Sequence, residues 1–308
     1  MATLEVMRPG ALTLVQDTGR LGVARQGLSQ GGAADMHAYC WANYLLGNPM
    51  DCAQLEITVG QASFRAHADI ECALTGAEMQ ASLDGEPVDS WATFVMRKGQ
   101  TLQLGYARSG LRAYLAIQGG IDVPRILDSR ATVIRNQIGG VQGRALALGD
   151  QLPIRPSLIR HRPRYVPSRF IPDYDSPAEL HLLMSSQWDL FPPDARNQFF
   201  DNHYHVLPES DRMGCRLEGN AILGGPAGIV SEGIALGAVQ IPPNGQPIVL
   251  LNDRQTLGGY PKLGCVARID LPRLAQARPG KDIRFLRGDL VSLRKAWQRF
   301  SHFFGLPY

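Results

Sequence analysis

Glycine punctuation is the feature that most constrains this chain. "LTLVQD", "QLEITVG", "ASFRAH", "IECALTG", "MQASLDG", "TLQLGYA" and "RAYLAIQGG" are short runs of strand length, most of them closed by turn residues. With 33 glycines and 21 prolines among 308 residues, the pattern continues almost throughout. Short strands separated at every step by turns predict a mainly β protein, a barrel or sandwich rather than a doubly wound sheet.

Few helices are expected. Asp35 is placed to N-cap a helix that carries Ala38, Trp41, Ala42 and Leu45 on one face, with Gly47 and Pro49 to end it. Leu290, Leu293, Trp297, Phe300 and Phe304 form a helical stripe near the C-terminus. Asp270 with Pro272 predicts a short third helix that stops at Pro279-Gly280.

Bulk properties exclude several functions. A net charge of +3, without a Lys/Arg block, gives no footprint for nucleic acid or an anionic membrane. No apolar run approaches the roughly 18 residues a membrane span needs, and the N-terminal stretch lacks the apolar core of a signal peptide. The five cysteines, at 40, 52, 72, 215 and 265, are scattered and form no C-x-x-C pair. They read as reduced thiols of a cytoplasmic protein, with no metal site expected. His203 and His205 fit one face of a strand better than a ligand pair.

The length suits two domains. The expected boundaries are an N-terminal β-domain over 1–156, a Pro/Arg-rich linker over 157–177 and a C-terminal β-domain over 178–308. The halves echo one another faintly. "QDTGRLG" (Gln16 to Gly22) and "ESDRMG" (Glu209 to Gly214) both place an acid ahead of Arg and Gly.

Four polar, glycine-flanked segments are candidates for chemistry. In "GLSQGGAAD", Gly31, Gly32 and Asp35 precede the first helix, where backbone N–H groups can cradle an anion or a nucleotide phosphate. The same residues also make an ordinary tight turn, and neither a P-loop nor a dinucleotide fingerprint is present. In "ESDRMGCRLEG", Ser210, Arg212 and Arg216 suit a carboxylate or phosphate, because Arg forks bind planar oxyanions in pairs. "VSEGIALGAVQIPPNGQP" contributes Gln240, with Glu232 as a base or a solvated acid. In "LNDRQTLGGYPK", Asp253, Arg254, Gln255, Tyr260 and Lys262 follow the strand-like "PIVLL". That stretch reads either as a polar turn or as a strand end delivering charges to a site. In the second case Asp253 and Lys262 are the catalytic pair, and Ser210, Arg212, Arg216, Gln240, Arg254, Gln255 and Tyr260 bind substrate. Lys98 in "VMRK" is an ordinary turn residue.

These motifs together resemble the biotin-dependent carboxyltransferase family, which includes allophanate hydrolase subunit 2, the KipA regulators and the C subunit of 5-oxoprolinase. "QDTGRLGVARQGLSQGGAAD", "SDRMGCRLEG" and "SEGIALGAVQIPPNGQPIVLLNDRQTLGGYPK" carry the resemblance most specifically, and it extends from about residue 4 to 288. Two related cyclophilin-like β-barrel domains are what the resemblance implies. It also implies one component of an ATP-dependent 5-oxoprolinase complex that cleaves 5-oxo-L-proline to L-glutamate. The implied partners are a KipI-like protein and a LamB/YcsF-type protein, the other two components of that complex. Two alternatives come with the family. One is a carboxyltransferase acting on urea or allophanate-type amides, with biotin on a separate carrier. The other is a KipA-type regulator that binds a KipI-like inhibitor of a histidine kinase. Ser185-Ser186 and Asn252 depart from the usual family pattern.

Overall fold

The computed structural model describes residues 2–155 and 162–307. The first part of the expected linker, 157–161, therefore lies outside the described residues. The chain divides into two compact units, Met1–Arg20 with Gly31–Asp175, and Leu21–Gln30 with Ser176–Tyr308. Among the described residues no helix is long and apolar enough to cross a membrane.

The first unit contains β1 (Thr3–Pro9), β2 (Leu12–Gln16), α1 (Met36–Leu46), β3 (Gln54–Thr58), β4 (Ala62–Ala66), β5 (Ile70–Glu78), β6 (Ser82–Leu83), β7 (Glu86–Pro87), β8 (Ala92–Met96), β9 (Thr101–Gln103), β10 (Ser109–Ile117) and β11 (Gln151–Pro153). They form a six-stranded sheet in the order β11-β1-β4-β9-β6-β7 and a five-stranded sheet in the order β2-β3-β10-β5-β8. Strand alternation explains the core. In β4, Ala62, Phe64 and Ala66 are buried, while Ser63 and Arg65 face outward. Phe64 meets Leu4 and Val6 of its own sheet and Leu55, Leu74 and Leu115 of the other in one apolar cluster. Burying a side chain of that size stabilises by about 1.5–3 kcal/mol. β5 is buried on both faces apart from its last residue, because α1 covers the face turned away from that cluster. There the Thr75 hydroxyl donates to the Ala38 carbonyl at 2.8 Å.

α1 begins and ends as the sequence predicts. The Asp35 carboxylate accepts the Ala38 N–H at 2.9 Å, and Gly47 closes the helix with a left-handed φ of 67°. The remaining Asp35 oxygen accepts the Tyr174 hydroxyl at 3.0 Å.

The second unit contains β12 (Ala178–Met184), α2 (Pro193–Asp201), β13 (Tyr204–Val206), β14 (Gly214–Glu218), β15 (Glu232–Gly233), β16 (Ala238–Gln240), β17 (Ile248–Leu250), β18 (Leu257–Gly258), β19 (Lys262–Val266), α3 (Leu271–Ala275), β20 (Asp282–Arg287) and α4 (Leu290–Phe304). Seven of these strands close into a barrel in the order β12-β19-β16-β17-β14-β13-β20, and β15 with β18 makes a separate two-stranded ribbon. Closure removes the open edges that a sheet of this size exposes. β12 and β20 pair in parallel, and the other barrel pairs are antiparallel. The barrel core includes Leu180, Leu217, Val239, Val249, Leu263 and Phe285. Phe199 of α2 packs on Phe285 with ring centroids 4.4 Å apart. The mainly β class with few helices is what the structure shows. One unit closes as a barrel, and the other arranges its strands in two sheets.

The sequence echo has a local counterpart. Asp17 Oδ1 accepts the Gly19 N–H, and Asp211 Oδ1 accepts the Met213 N–H, each at 2.8 Å. Both acids therefore hold a turn two residues ahead, the usual work of Asp in such positions. α2 was not expected from the sequence: its Pro192-Pro193 start reads as loop, although Pro at the first helical position is favoured.

Asp35→Ala is expected to destabilise the first unit by about 1–2 kcal/mol, the usual cost of losing an N-cap, whereas Asp35→Asn retains most of it. Urea unfolding of the intact chain measures both. An unchanged midpoint for the alanine variant excludes capping as the role of Asp35.

Candidate functional site

"LNDRQTLGGYPK" is a strand end, a turn and a second strand start in succession. Leu251 to Thr256 follow β17, Leu257 and Gly258 form β18, and Gly259, Tyr260 and Pro261 lead into Lys262, the first residue of β19. The polar residues that stood together in the sequence separate here into two groups.

The first group is a buried ion pair. Arg212 meets Asp253 with both arms of the fork, Nε to Oδ2 at 2.9 Å and Nη2 to Oδ1 at 3.0 Å. Both side chains are under 10% exposed. The backbones pair beside them: Asp253 N–H donates to the Arg212 carbonyl, and Leu251 N–H to that of Met213, each at 2.9 Å. The Ser29 hydroxyl donates to the carbonyls of Asp253 at 3.2 Å and Arg254 at 2.8 Å. Arg254 is spent on the backbone too, with Nε on the Ile234 carbonyl at 3.1 Å and Nη1 on that of Leu251 at 3.3 Å. Burial pushes its guanidinium below its ordinary value.

The second group surrounds Lys262. Gln240 and Lys262 are register partners on β16 and β19. Val239 lies in the barrel core while Gln240 reaches the β18 ribbon at Gly258, and a register shift between the two skips Leu263 so that Lys262 lies opposite Gln240. Both residues are buried. Lys262 Nζ stands 2.7 Å from Glu232 Oε1, on the β15–β18 ribbon. That ion pair engages the ammonium on one side and leaves two of its three donors, and the Gln240 Nε2 group is buried without a hydrogen-bond partner. Gln187 clamps the arrangement. Its Oε1 accepts the Lys262 N–H at 2.8 Å, and its Nε2 donates to Glu232 Oε1 at 2.6 Å. The Ser185 hydroxyl donates to the Lys262 carbonyl at 2.5 Å. Gly258 closes over Gln240: a Cβ there would lie 2.9 Å from Nε2 and 2.5 Å from Ile234 Cδ1.

An ammonium has three donors and no acceptor, and an amide NH₂ has two donors. A buried donor without a partner is costly, and the natural partner for the Gln240 amide and the remaining ammonium donors is an oxygen brought by a ligand. Glu232 supplies the opposite charge at the exposed edge. Its carboxyl is held below the ordinary range by the contact with Lys262 and by that residue's positive charge, with Gln187 adding to the effect. It is therefore ionised at neutral pH and accepts an N–H or O–H hydrogen bond rather than giving one, while the lowered value weakens it as a proton acceptor.

Several expectations need correction. Asp253 and Lys262 are not each other's partners: the barrel gives Asp253 to Arg212 and Lys262 to Glu232. Arg212 and Arg216 do not converge on an anion, because Arg212 is turned inward and Arg216 stands exposed on the outer face of β14. The Ser210 hydroxyl bonds the Arg216 backbone, accepting its N–H at 3.0 Å, and so holds a turn. Gln255 is half-buried and Tyr260 exposed. Gly31, Gly32 and Asp35 do not form an anion cradle. The N–H groups of Gly32, Ala33, Ala34 and Asp35 go to Gln16 Oε1, the Asp17 carbonyl, Glu56 Oε2 and the Tyr114 hydroxyl. A nucleotide phosphate does not fit a turn whose donors are already engaged. Gln187 and Ser185 were absent from the expected site, and Glu232, read as a base or a solvated acid, is the counter-charge of Lys262. Glu232 lay in a segment already marked as polar and glycine-flanked, and Ser185 at a departure from the family pattern. Among the described residues no cluster of His, Cys, Asp or Glu could hold a metal ion.

The carboxyltransferase domain family, subdomains A and B, matches residues 26–287. Over 302 residues the chain is 37% identical to the 5-oxoprolinase C subunit of Escherichia coli (strain K12), covering 98% of this chain and 96% of that protein. It is 31% identical over 303 residues to the urea amidolyase of Saccharomyces cerevisiae, covering 92% of this chain but only 16% of that longer protein. The crystal structure of the K. lactis urea amidolyase superposes with a TM-score of 0.89 at 29% identity, over 97% of this chain and 20% of that one.

Two outcomes are expected. Asp253→Ala removes both hydrogen bonds that the buried Arg212 fork makes to that carboxylate, a loss of about 3–5 kcal/mol. Thermal and denaturant melts of the intact chain measure it, and a change under ~1 kcal/mol places the pair outside the supports of the fold. The second concerns pH. A depressed carboxyl gives stabilisation that is complete above its unfolded value and fades as pH falls through the lower folded value. In an NMR titration Glu232 is thus expected to protonate below an ordinary glutamate, and to move upward in Lys262→Met. No upward movement would remove Lys262 as the cause.

Proposed function

The chain belongs to the carboxyltransferase domain family, and from that premise we propose that it is the C subunit of a 5-oxoprolinase-type amidohydrolase that opens 5-oxo-L-proline to L-glutamate with its partner proteins. The observation that carries this reading is the 37% identity to a 5-oxoprolinase C subunit over nearly the full length of both proteins. The geometry around Lys262 supports it. The substrate offers a carboxylate and a lactam carbonyl, both oxygen acceptors. We assign the Lys262 ammonium and the Gln240 amide to those oxygens, and Glu232 to the lactam N–H or to the water that attacks the carbonyl carbon. In the net hydrolysis the C–N bond breaks, the carbon gains the water oxygen, and the nitrogen leaves as the amine after taking a proton. Donors fixed in a water-poor wall stabilise the developing oxyanion more than the same donors do in bulk water.

ATP is assigned to the assembled enzyme, not to the Gly31–Asp35 turn, and no step is routed through it in this chain. A KipI-like protein and a LamB/YcsF-type protein are the partners in this reading, and the cytoplasm is its compartment. The similarity to the urea amidolyase of yeast favours a second reading, carboxyl transfer to an amide such as urea. Urea offers the same carbonyl flanked by N–H groups, and biotin would arrive on a separate carrier protein.

Reconstitution tests the first reading. The chain mixed with its KipI-like and LamB/YcsF-type partners is expected to release glutamate from 5-oxoproline in an ATP-dependent manner. Lys262→Met is expected to lower turnover by about 10²-fold or more while the protein stays folded. Absence of release with folded partners overturns the assignment. Carboxylation of urea in the presence of a biotinylated carrier would put the second reading in its place.

A further inference from the structure

The first unit contains a cleft that the proposed reaction does not use. It lies on the outer face of the six-stranded sheet, with a volume of about 520 Å³. Ligand cavities commonly span about 300–1,000 Å³. Its floor is a single row of polar side chains, one from each of four adjacent strands. Arg8 of β1 is in register with Ser63 of β4, Ser63 with Gln103 of β9, and Gln103 with Ser82 of β6. With strands about 4.8 Å apart, the row is about 14 Å long. Arg8 owes its place to a bulge. The register shifts between Val6 and Arg8, so Arg8 takes the position opposite Ser63 that an unbroken strand would give to Met7. Bulges re-aim side chains in this way.

The rim is backbone held in an unfavourable conformation. Gln61, on the rim, ends a run of three left-handed residues with Val59 and Gly60, φ of 69°, 97° and 56° along the chain, and Gln80, at the same end of the sheet just before β6, has φ 47°. A β-branched residue in that region is an outlier, and such strain persists only where surrounding structure enforces it. Here the enforcement is visible. Val59 N–H bonds the Leu111 carbonyl at 2.9 Å, Gln61 N–H that of Gly105 at 3.1 Å, and Gly105 N–H that of Met79 at 2.7 Å. A Cβ on Gly60 would lie 2.0 Å from the Gly105 carbonyl oxygen, so the turn is pressed against its neighbour. Within the described residues, the side chains of Arg8, Gln61, Ser63, Gln80, Ser82 and Gln103 make no hydrogen bond and no ion pair.

The geometry points to a binding site for a small polar oxyanion, a carboxylate or a phosphate monoester. Arg8 takes the charged group, and the hydroxyl and amide row takes neutral polar groups alongside it. An unpaired guanidinium offers the fork that planar oxyanions accept. The amides and hydroxyls beside it both donate and accept, which suits a ligand carrying hydroxyl or amide groups rather than an apolar one. The rigid rim means that little ordering is left to do on binding.

Calorimetric titration of the intact chain with citrate, malate, inorganic phosphate and glycerol phosphate tests the site, the first two probing carboxylates and the others phosphates. Saturable binding of at least one probe is expected. Arg8→Gln is expected to weaken it by ~10-fold or more, as the loss of a charge-assisted hydrogen bond does. Gln103→Leu is expected to weaken it less, and Lys262→Met to leave it unchanged. Arg8 and Gln103 are exposed, so both variants should melt like the parent chain. No saturation by any of the probes in the millimolar range overturns the proposal. So does binding that survives Arg8→Gln, or that is lost in Lys262→Met. None of these outcomes depends on whether the assembled enzyme hydrolyses 5-oxoproline.

Discussion

The Arg212–Asp253 pair is the interaction on which the second unit's site depends. Two charges taken out of water are tolerated only if each satisfies the other, and here the fork geometry does so with two bonds. The pair fastens the turn that precedes β14 to the turn that follows β17. From that fixed point the chain runs through Arg254, whose guanidinium ties down two carbonyls, and into the β18 edge of the ribbon. The ribbon brings Glu232 over the barrel wall, and the strand beyond it brings Lys262 to meet that residue. A buried charge pair thus sets the position of Glu232 and Lys262.

The Lys262 wall combines burial with incomplete satisfaction. A folded chain rarely leaves buried donors idle, because each idle donor costs stability. Here an amide NH₂ is buried without a hydrogen-bond partner, and on the adjoining strand stands a buried ammonium whose one counter-charge is a half-exposed carboxylate. The clamp by Gln187 shows that the arrangement is held from behind as well as from in front. The Gly31–Asp35 turn is the opposite case. It has the glycines and the helix start of an anion site, but its N–H groups are matched one by one to protein acceptors.

Much of this could be read from the amino-acid order, and what could not has a common cause. Glycine-spaced runs such as "ASFRAH" and "IECALTG" became strands, and Asp35 and Gly47 bound the first helix, because those signals are local. The stretch ending at Lys262 was recognisable as polar residues delivered by a strand. Its internal pairing was not. Asp253 and Arg212 are 41 residues apart and Lys262 and Gln187 75 apart, and only barrel closure decides that they meet. Proximity in sequence suggested an Asp253–Lys262 pair, and register excluded it. The glycine turn misled for a similar reason. Whether its N–H groups are free depends on Gln16, Glu56 and Tyr114, which come from three other strands 16, 22 and 79 residues away. The Arg8 row was equally invisible, since its members come from four separate strands and align only through a one-residue bulge.

The short excursion of Leu21–Gln30 bears on how this chain is made. Those ten residues interrupt the first unit but belong with the second, where the Ser29 hydroxyl rests on the carbonyls of Asp253 and Arg254. On the ribosome they emerge early, and their acceptors emerge more than 220 residues later. The first unit can assemble its two sheets in the meantime, but only around a loop that has nothing yet to hold. A growing chain therefore carries an open stitch through most of its synthesis, and the barrel's completion is the event that draws it closed. Either half made alone lacks the other end of that stitch.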